Sequence, residues 1–342
     1  MNPRLQLLDD LDRRIVVAMQ QDGRASWRTI ADVVDSPVTT VVRRGQQLLA
    51  DGIVKVTAVP ALGAHGLYDN FWIRITCTPG AQAAVAEQLV ARPDVRFCTI
   101  VTGEFDIIAE LVVHGGADRY PYLLADLQTI PGIERWRSDL IMHVYKVSHD
   151  WGRQLSGALL TDGTPTPVQA RTAEPEPCDP SHMDAADWAI LERLRLDGRD
   201  TFQSIAQTVG MNESSVRRRF DRMRANACVE VVTLVPSAAL GMGTETLVTV
   251  RVAPARLEAV ARQLATHASV RYLAALLDDN SLLCEVITPS ATELHAFIQR
   301  TLSLLDGVEG WSASMELVYL KRGSVETPWW RAQLGPESAV AV

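Results

Sequence analysis

The chain has 342 residues, a hydrophobic content of 47% and a formal net charge of −8 at pH 7. This length allows two or more domains with buried cores, and the composition excludes an intrinsically disordered chain. No apolar run approaches the roughly 20 residues of a membrane-spanning helix, and no apolar signal segment follows Met1, so we expect a cytoplasmic protein without membrane contact.

The sequence repeats itself at an offset of 175 residues. Asp22-Gly23-Arg24 recurs as Asp197-Gly198-Arg199, and Arg43-Arg44 recurs as Arg218-Arg219. Self-similarity at a fixed offset indicates a duplicated structural unit. We therefore expect four domains, at 1–58, 66–148, 184–234 and 244–322, with a Pro/Thr-rich linker at 149–183 and a tail at 323–342.

Each copy begins with a helical pattern. Leu11, Ile15 and Met19 fall on one face of the first predicted helix, and two further short helices follow. A short strand pair after them, at 52–60 and again at 227–236, is expected to form a wing in each copy. The remainder alternates in the order strand, helix, strand, strand, helix, strand, which is the ferredoxin-like pattern. The predicted fold class is α+β, with two copies of a winged helix-turn-helix domain followed by a ferredoxin-like domain.

The third predicted helix of each copy has an apolar face and a polar face. The polar faces hold Thr39, Thr40, Arg43, Arg44 and Gln47 in the first copy, and Ser214, Ser215, Arg217, Arg218, Arg219 and Arg222 in the second. In a helix-turn-helix the second helix of the motif enters the major groove of DNA, where arginine binds guanine edges or phosphates. A merely solvated helix face is the alternative. Recurrence in two matching contexts favours double-stranded DNA as the partner.

Residues 8–54, and TGEFDIIAEL at 102–111, resemble the Lrp/AsnC family of bacterial transcription regulators. The resemblance extends over nearly all of the chain outside the linker and tail, and the chain looks like the tandem form found in actinobacteria. It implies that the α/β domains bind an effector and mediate oligomerisation. One chain would then stand in for a dimer, and chains would associate as homodimers or larger assemblies.

The resemblance also places part of the effector site in the first α/β domain, at Thr102, Gly103, Glu104, Phe105 and Asp106. Gly103 permits a tight turn, while main-chain N–H groups and Asp106 are suited to opposite ends of an amino acid. A plain hairpin turn is the alternative. The second copy has Asp278 and Asn280 in this region and lacks the motif, so we expect its α/β domain to serve mainly as a pairing surface.

A siroheme decarboxylase is the enzymatic alternative, since such enzymes resemble this family and occur as paired halves. Its site would need clustered His, Tyr and Arg side chains to hold carboxylates and donate a proton. The seven histidines do not recur at the 175-residue offset and form no motif. We therefore expect a regulator without catalytic residues or a cofactor.

The five cysteines form no CxxC pair, so neither a disulfide nor a metal site is expected. Cys178 is expected to be exposed, and the other four to pack as small apolar residues. Trp151, Trp329 and Trp330 lie in the two tails and are expected to pack onto a neighbouring chain.

Overall fold

The computed structural model describes residues 6–155, 178–278 and 280–334. Most of the predicted linker and the end of the predicted tail lie outside these residues. The described helices include none that is long and apolar enough to cross a membrane.

The two repeats have the same order of elements. The first contains α1 (Asp10–Gln21), α2 (Trp27–Val33), α3 (Val38–Ala50), β1 (Lys55–Pro60), β2 (Tyr68–Cys77), α4 (Gln82–Ala91), β3 (Val95–Val101), β4 (Ile107–His114), α5 (Tyr120–Gln128), β5 (Ile133–Val147) and α6 (Trp151–Leu155). The second contains α7 (Ala185–Leu196), α8 (Phe202–Val209), α9 (Glu213–Ala225), β6 (Val229–Leu234), β7 (Thr244–Val252), α10 (Leu257–Ala265), β8 (Val270–Leu276), β9 (Ser281–Thr288), α11 (Ala291–Arg300), β10 (Val308–Arg322), β11 (Val325–Glu326) and α12 (Trp330–Leu334). The predicted fold class is confirmed.

Each three-helix domain has its own core and well-defined helix starts. Asp9 caps α1 by accepting the N–H of Asp12 at 2.9 Å, and Asn212 caps α9 by accepting that of Ser215 at 2.8 Å. Such caps satisfy main-chain donors that have no partner within the helix. In α3, Gly45 leaves room for Trp27, because a Cβ at Gly45 would overlap the indole ring. The helices therefore pack in one orientation.

The segments expected to form wings pair with each other across the repeats. β1 and β6 run antiparallel, with Lys55 opposite Leu234 and Pro60 opposite Val229. Each repeat thus supplies one strand, and the two strands form one ribbon between the helix-turn-helix domains. The two helix-turn-helix domains therefore lie close enough for β1 and β6 to share main-chain hydrogen bonds.

A reciprocal pair of arginines, here called the interdomain clasp, joins the two helix-turn-helix domains. Arg24 donates to the main-chain oxygen of Gly198 at 2.5 Å, and Arg199 donates to that of Gly23 at 2.5 Å. These residues are the repeated Asp-Gly-Arg motif of the sequence. The motif therefore relates the two domains by an approximate two-fold axis.

Aromatic rings complete the interdomain clasp. The guanidinium of Arg24 lies 4.5 Å from the ring centre of Phe202, and that of Arg199 lies 4.2 Å from that of Trp27. Burial, followed by the charge of Arg199, lowers the pKa of Arg24. The two like charges are held near each other because carbonyl oxygens and ring faces stabilise both of them.

The two ferredoxin-like sheets join edge to edge into a closed ring. The strand order is β3-β4-β2-β5-β8-β9-β7-β10, and β10 returns to pair with β3. At the two seams Ile141 lies opposite Leu276 and Val318 lies opposite Ile100. A closed ring leaves no edge among these eight strands for pairing with another chain.

Four expectations about single residues are wrong. Trp151, Trp330 and Trp329, 5%, 4% and 4% exposed, pack inside this chain, against the α1 core, the core under β2–β4 and β6. Cys178 is 3% exposed and forms a disulfide with Cys228, so the expectation that the cysteines form no disulfide is wrong as well. These errors share a cause, because each contact joins segments that are distant in sequence.

The clasp glycines allow a matched test of this packing. A Cβ at Gly198 would lie 2.7 Å from the main-chain nitrogen of Thr57, whereas one at Gly23 would meet the Val56 side chain at 2.8 Å. A side chain can rotate away and a paired strand cannot, so Gly198→Ala should lower the free energy of unfolding by about 1–3 kcal/mol and Gly23→Ala by less. Urea denaturation of both variants measures this; equal losses would contradict it.

Candidate nucleic-acid interface and effector site

The exposed faces of α3 and α9 carry the predicted DNA-binding residues. Thr39 and Arg43 of α3 are exposed, as are Ser214 and Arg218 at the equivalent positions of α9. Among the residues that the structure describes, neither Arg43 nor Arg218 forms an ion pair. These four side chains are therefore available to a ligand at matching places in the two domains.

Other arginines on the same helices are bound to carboxylates of the preceding helix. Arg44 contacts Asp9 and lies 3.1 Å from Asp12. Arg219, its counterpart, lies 2.8 Å from Asp184 and 3.0 Å from Asp187. The hydrogen bond that Arg44 donates to Asp9 raises the pKa of Arg44, and the one that Arg219 donates to Asp184 raises the pKa of Arg219. Arg44 therefore fixes α3 to the start of α1, and Arg219 fixes α9 to the start of α7; α3 and α9 are called the recognition helices below.

The remaining predicted residues also divide into exposed side chains and side chains bound to a neighbouring carboxylate or half-buried. Arg222 contacts Asp187, and Gln47 donates to Asp51 at 2.7 Å. Arg217 is exposed but lies 3.0 Å from Glu213. The two half-buried hydroxyl residues are Thr40 and Ser215. The face open to a ligand is thus narrower than the sequence indicates.

The predicted effector loop lies at a seam between the two sheets. The N–H of Thr102 donates to the oxygen of Met315 in β10 at 2.9 Å, and the Thr102 hydroxyl accepts the N–H of Met315 at 2.9 Å. Gly103 has a φ of +102°, which favours glycine. The structure therefore places this loop against the second repeat, at a contact between the two α/β domains.

Asp106 already has partners in this structure. Its carboxylate accepts the N–H of Cys77 at 2.7 Å and the side-chain amide of Gln82 at 3.3 Å. Thr102, Gly103 and Glu104 are exposed, whereas Phe105 and Asp106 are half-buried. Asp106 thus joins the end of β2 to the start of α4, and a ligand would reach it through its remaining lone pairs.

A cleft between the domains brings together polar residues that the sequence analysis missed. Its cavity volume is about 80 Å³, and it is partly open to solvent. Its lining includes Trp72, Arg96, Phe97, Glu110, His149, Trp151, Arg271, Tyr272, Glu285, Arg322 and Trp329. Arginine, tyrosine and histidine side chains therefore do meet at one place. The recurrence of Arg96 and Glu110 as Arg271 and Glu285 at the 175-residue offset is the sequence signal that would have revealed it.

The arginines of this cleft are paired with glutamates. Arg96 lies 2.9 Å from Glu110, Arg271 lies 2.7 Å from Glu245, and Arg322 lies 3.1 Å from Glu285. Three guanidinium groups thus face three carboxylates. The charge available to attract an anionic ligand is correspondingly small.

Glu316 is a fourth carboxyl group in this network. It is 7% exposed, and neither of its oxygens has a hydrogen-bond partner among the described residues. Burial, and then the charge of Glu285, raises the pKa of Glu316 well above its usual value. Although burial also raises the pKa of Glu285, Arg271 and Arg322 lower it to about 2. Glu316 therefore holds a proton where Glu285 is ionised.

Comparison with known proteins identifies the domains. Residues 8–49 and 183–224 match the AsnC-type helix-turn-helix domain, and residues 70–151 and 245–325 match the Lrp/AsnC ligand binding domain. The chain is 31% identical over 147 residues to an uncharacterized HTH-type transcriptional regulator of Pyrococcus furiosus, which covers 43% of this chain and 97% of that protein. It is 28% identical over 131 residues to the Bkd operon transcriptional regulator of Pseudomonas aeruginosa, covering 37% and 85%.

Two solved structures of one protein, with and without a bound iron-uroporphyrin III analogue, resemble both repeats together. The siroheme decarboxylase NirDL matches 98% of this chain and 100% of its own, with a TM-score of 0.58 and 14% sequence identity. At this identity the likeness shows the fold alone. The tandem architecture is therefore shared with a known protein.

Glu316 gives the fold a specific pH dependence. Because its folded-state pKa lies above the unfolded value, the folded state binds more protons, and stability falls as pH rises from about 5 towards the folded pKa. Glu316→Gln removes this loss, so its stability relative to the wild-type protein should grow by up to about 1.4 kcal/mol per pH unit. Urea denaturation between about pH 5.5 and 8.5 measures it.

The control is Glu134→Gln, since Glu134 is exposed on β5. Its stability curve should run parallel to that of the wild-type protein. A parallel curve for Glu316→Gln as well would show that Glu316 is ionised in the folded state.

Proposed function

This chain belongs to the Lrp/AsnC family of transcriptional regulators, and we propose that it binds double-stranded DNA through α3 and α9 and responds to an amino acid or a related metabolite. The observation that carries the proposal is the matched exposure of Arg43 and Arg218 on two helices held together by the interdomain clasp. A fixed pair of recognition helices suits two half-sites on one face of DNA.

In this proposal the residues of each recognition helix have two roles. The exposed Thr39, Arg43, Ser214, Arg217 and Arg218 contact bases or phosphates. A second group of residues holds each helix in place or lies beside its exposed face, where it can reach the DNA backbone. This group is Thr40, Arg44, Gln47, Ser215, Arg219 and Arg222. Because the two faces differ, we expect an imperfect palindrome as operator.

The proposed effector site is the loop from Thr102 to Asp106. Support comes from the exposure of Thr102, Gly103 and Glu104 and from the contact of Thr102 with Met315 of the second repeat. An amino acid that bound here would compete with the hydrogen bonds at this seam. It would thereby change the packing of the ferredoxin-like domains and the spacing of the recognition helices.

We further propose the limits 1–58, 66–148, 184–234 and 244–322 for the four domains, with a linker at 149–183 and a tail at 323–342. A cytoplasmic location follows from DNA binding. Association into a homodimer or a larger assembly is supported by exposed apolar side chains on β10. Trp311, Met315 and Leu317 are 48%, 37% and 50% exposed.

A siroheme-decarboxylase-like enzyme is the second candidate, favoured by the cleft that holds Arg96, Tyr272 and His149. A substrate with several carboxylates would have to displace Glu110, Glu245 and Glu285 from the arginines. Removing one partner of a buried ion pair is costly. We therefore prefer a regulator without enzymatic activity, and the relatives named above are transcriptional regulators.

The DNA proposal predicts that equivalent substitutions in the two helix-turn-helix domains weaken DNA binding to a similar extent. Arg43→Ala and Arg218→Ala should each weaken binding to the DNA upstream of the chain's own gene by about 1–3 kcal/mol, or roughly 5- to 150-fold, and should reduce the salt dependence. Fluorescence anisotropy at two salt concentrations measures this. Arg262→Ala, on the exposed face of α10, is the control. Wild-type affinity in both variants would refute the proposal.

The effector proposal predicts that DNA binding and ligand response can be separated. Asp106→Ala should bind DNA as the wild-type protein does, but its affinity should no longer change when each of the twenty amino acids is added. Asp106→Asn keeps the shape of the side chain and removes its charge. If Asp106→Asn responds as the wild type does, the loop is a structural turn. If the wild-type protein responds to none of the twenty, the effector is not one of these amino acids.

A further inference from the structure

We propose that Cys178, His182 and Cys228 form a binding site for a thiophilic divalent cation, Zn²⁺ in the first instance. Their ligand atoms all lie within 4.8 Å of one another. The Nδ1 atom of His182 is 3.8 Å from the sulfur of Cys228. Two sulfurs and one imidazole nitrogen are the donors that zinc prefers.

The fold brings these side chains together from two distant segments. A single helical turn over Pro180–His182 directs the histidine back towards the sulfur atoms. Cys228 follows Ala227, whose φ of +51° is uncommon for a residue with a Cβ. This strained turn ends α9 and directs Cys228 into the core beside Cys178.

The surroundings suit a metal that is shielded on one side. Cys178 and Cys228 are 3% and 0% exposed and lie in the core of the second helix-turn-helix domain with Met183 and Phe220. His182 is exposed. Three protein ligands would leave a fourth, solvent-facing position for water or another donor.

The structure joins Cys178 and Cys228 as a disulfide, which is an alternative state of the same two sulfurs. In the disulfide state the Nδ1 atom of His182 accepts the N–H of Asp179 at 3.3 Å, whereas a metal site would bind this nitrogen. The choice also rests on the proposed function, because a protein that binds the chromosome works where thiols are kept reduced. Thiolates bind the metal only after losing their protons, so binding would release protons.

A metal here would fasten residues 178–182 to the start of β6. It would thereby stabilise the second helix-turn-helix domain next to its recognition helix, since binding to the folded state alone adds to stability. No equivalent site can form in the first repeat. The positions matching His182 and Cys228, at the 175-residue offset, are Leu7 and Ile53.

The test uses the full chain, reduced and stripped of metal with a chelator. Titration with Co²⁺ should give one equivalent per chain, with the charge-transfer and visible absorption of a tetrahedral thiolate site. Zn²⁺ should displace it and raise the melting temperature. Cys228→Ser and the exposed variant His182→Gln should each weaken binding at least tenfold, while Cys77→Ser, at a buried cysteine in β2, should bind as the wild type does.

Three results would overturn the proposal. They are a reduced chain that takes up no metal, a Cys178–Cys228 bond that persists in excess reductant, and unchanged affinity in His182→Gln. Metal content is measured without DNA. Failure here therefore leaves the DNA-binding proposal standing, and failure of DNA binding leaves the metal stoichiometry unaffected.

Discussion

The reciprocal contact between the two Asp-Gly-Arg turns is the constraint on which the arrangement of the domains depends. Each arginine donates to main-chain oxygens of the other repeat. The sheets add a second reciprocal pair. Lys321 of β10 donates to the oxygen of Arg92 at 2.6 Å, and Lys146 of β5 donates to that of His267 at 2.9 Å. Burial lowers the pKa of both lysines. Carbonyl oxygens at the helix ends stabilise the two charges against this effect. The same approximate axis therefore governs both layers of the molecule.

This shared axis limits how a ligand can act on DNA binding. The recognition helices are fixed to their own domains by Arg44 and Arg219, and the domains are fixed to each other by the clasp. A ligand bound at residues 102–106 touches neither contact. It can alter the seam between β3 and β10 and the contacts of Asp106 with β2 and α4. The β1–β6 ribbon and the packing of Trp151 against the α1 core connect the ring of strands to the helices. Any response would therefore be a small rotation of rigid parts.

The sequence was sufficient for what depends on local pattern and insufficient for what depends on contacts between repeats. The duplication and the ferredoxin-like order follow from periodicity within each segment. Periodicity cannot distinguish Arg43 from Arg44, since both fall on the polar face of one helix. Only the packing of α3 on α1 shows that Arg44 faces Asp9 and Asp12 while Arg43 faces outwards. The burial of Cys178 was missed for the same reason.

Fusion of two copies allows the interior of the ring to be asymmetric, which an association of identical chains would not. Arg96 and Glu110 are matched by Arg271 and Glu285. Three further members of the charged network have no charged counterpart, because Glu245, Glu316 and Arg322 correspond to Asn70, Ile141 and Val147. In a homodimer each of these ionisable groups would occur twice, and two copies of Glu316 would have to be buried without partners. A buried network of this composition is therefore a property of the tandem chain.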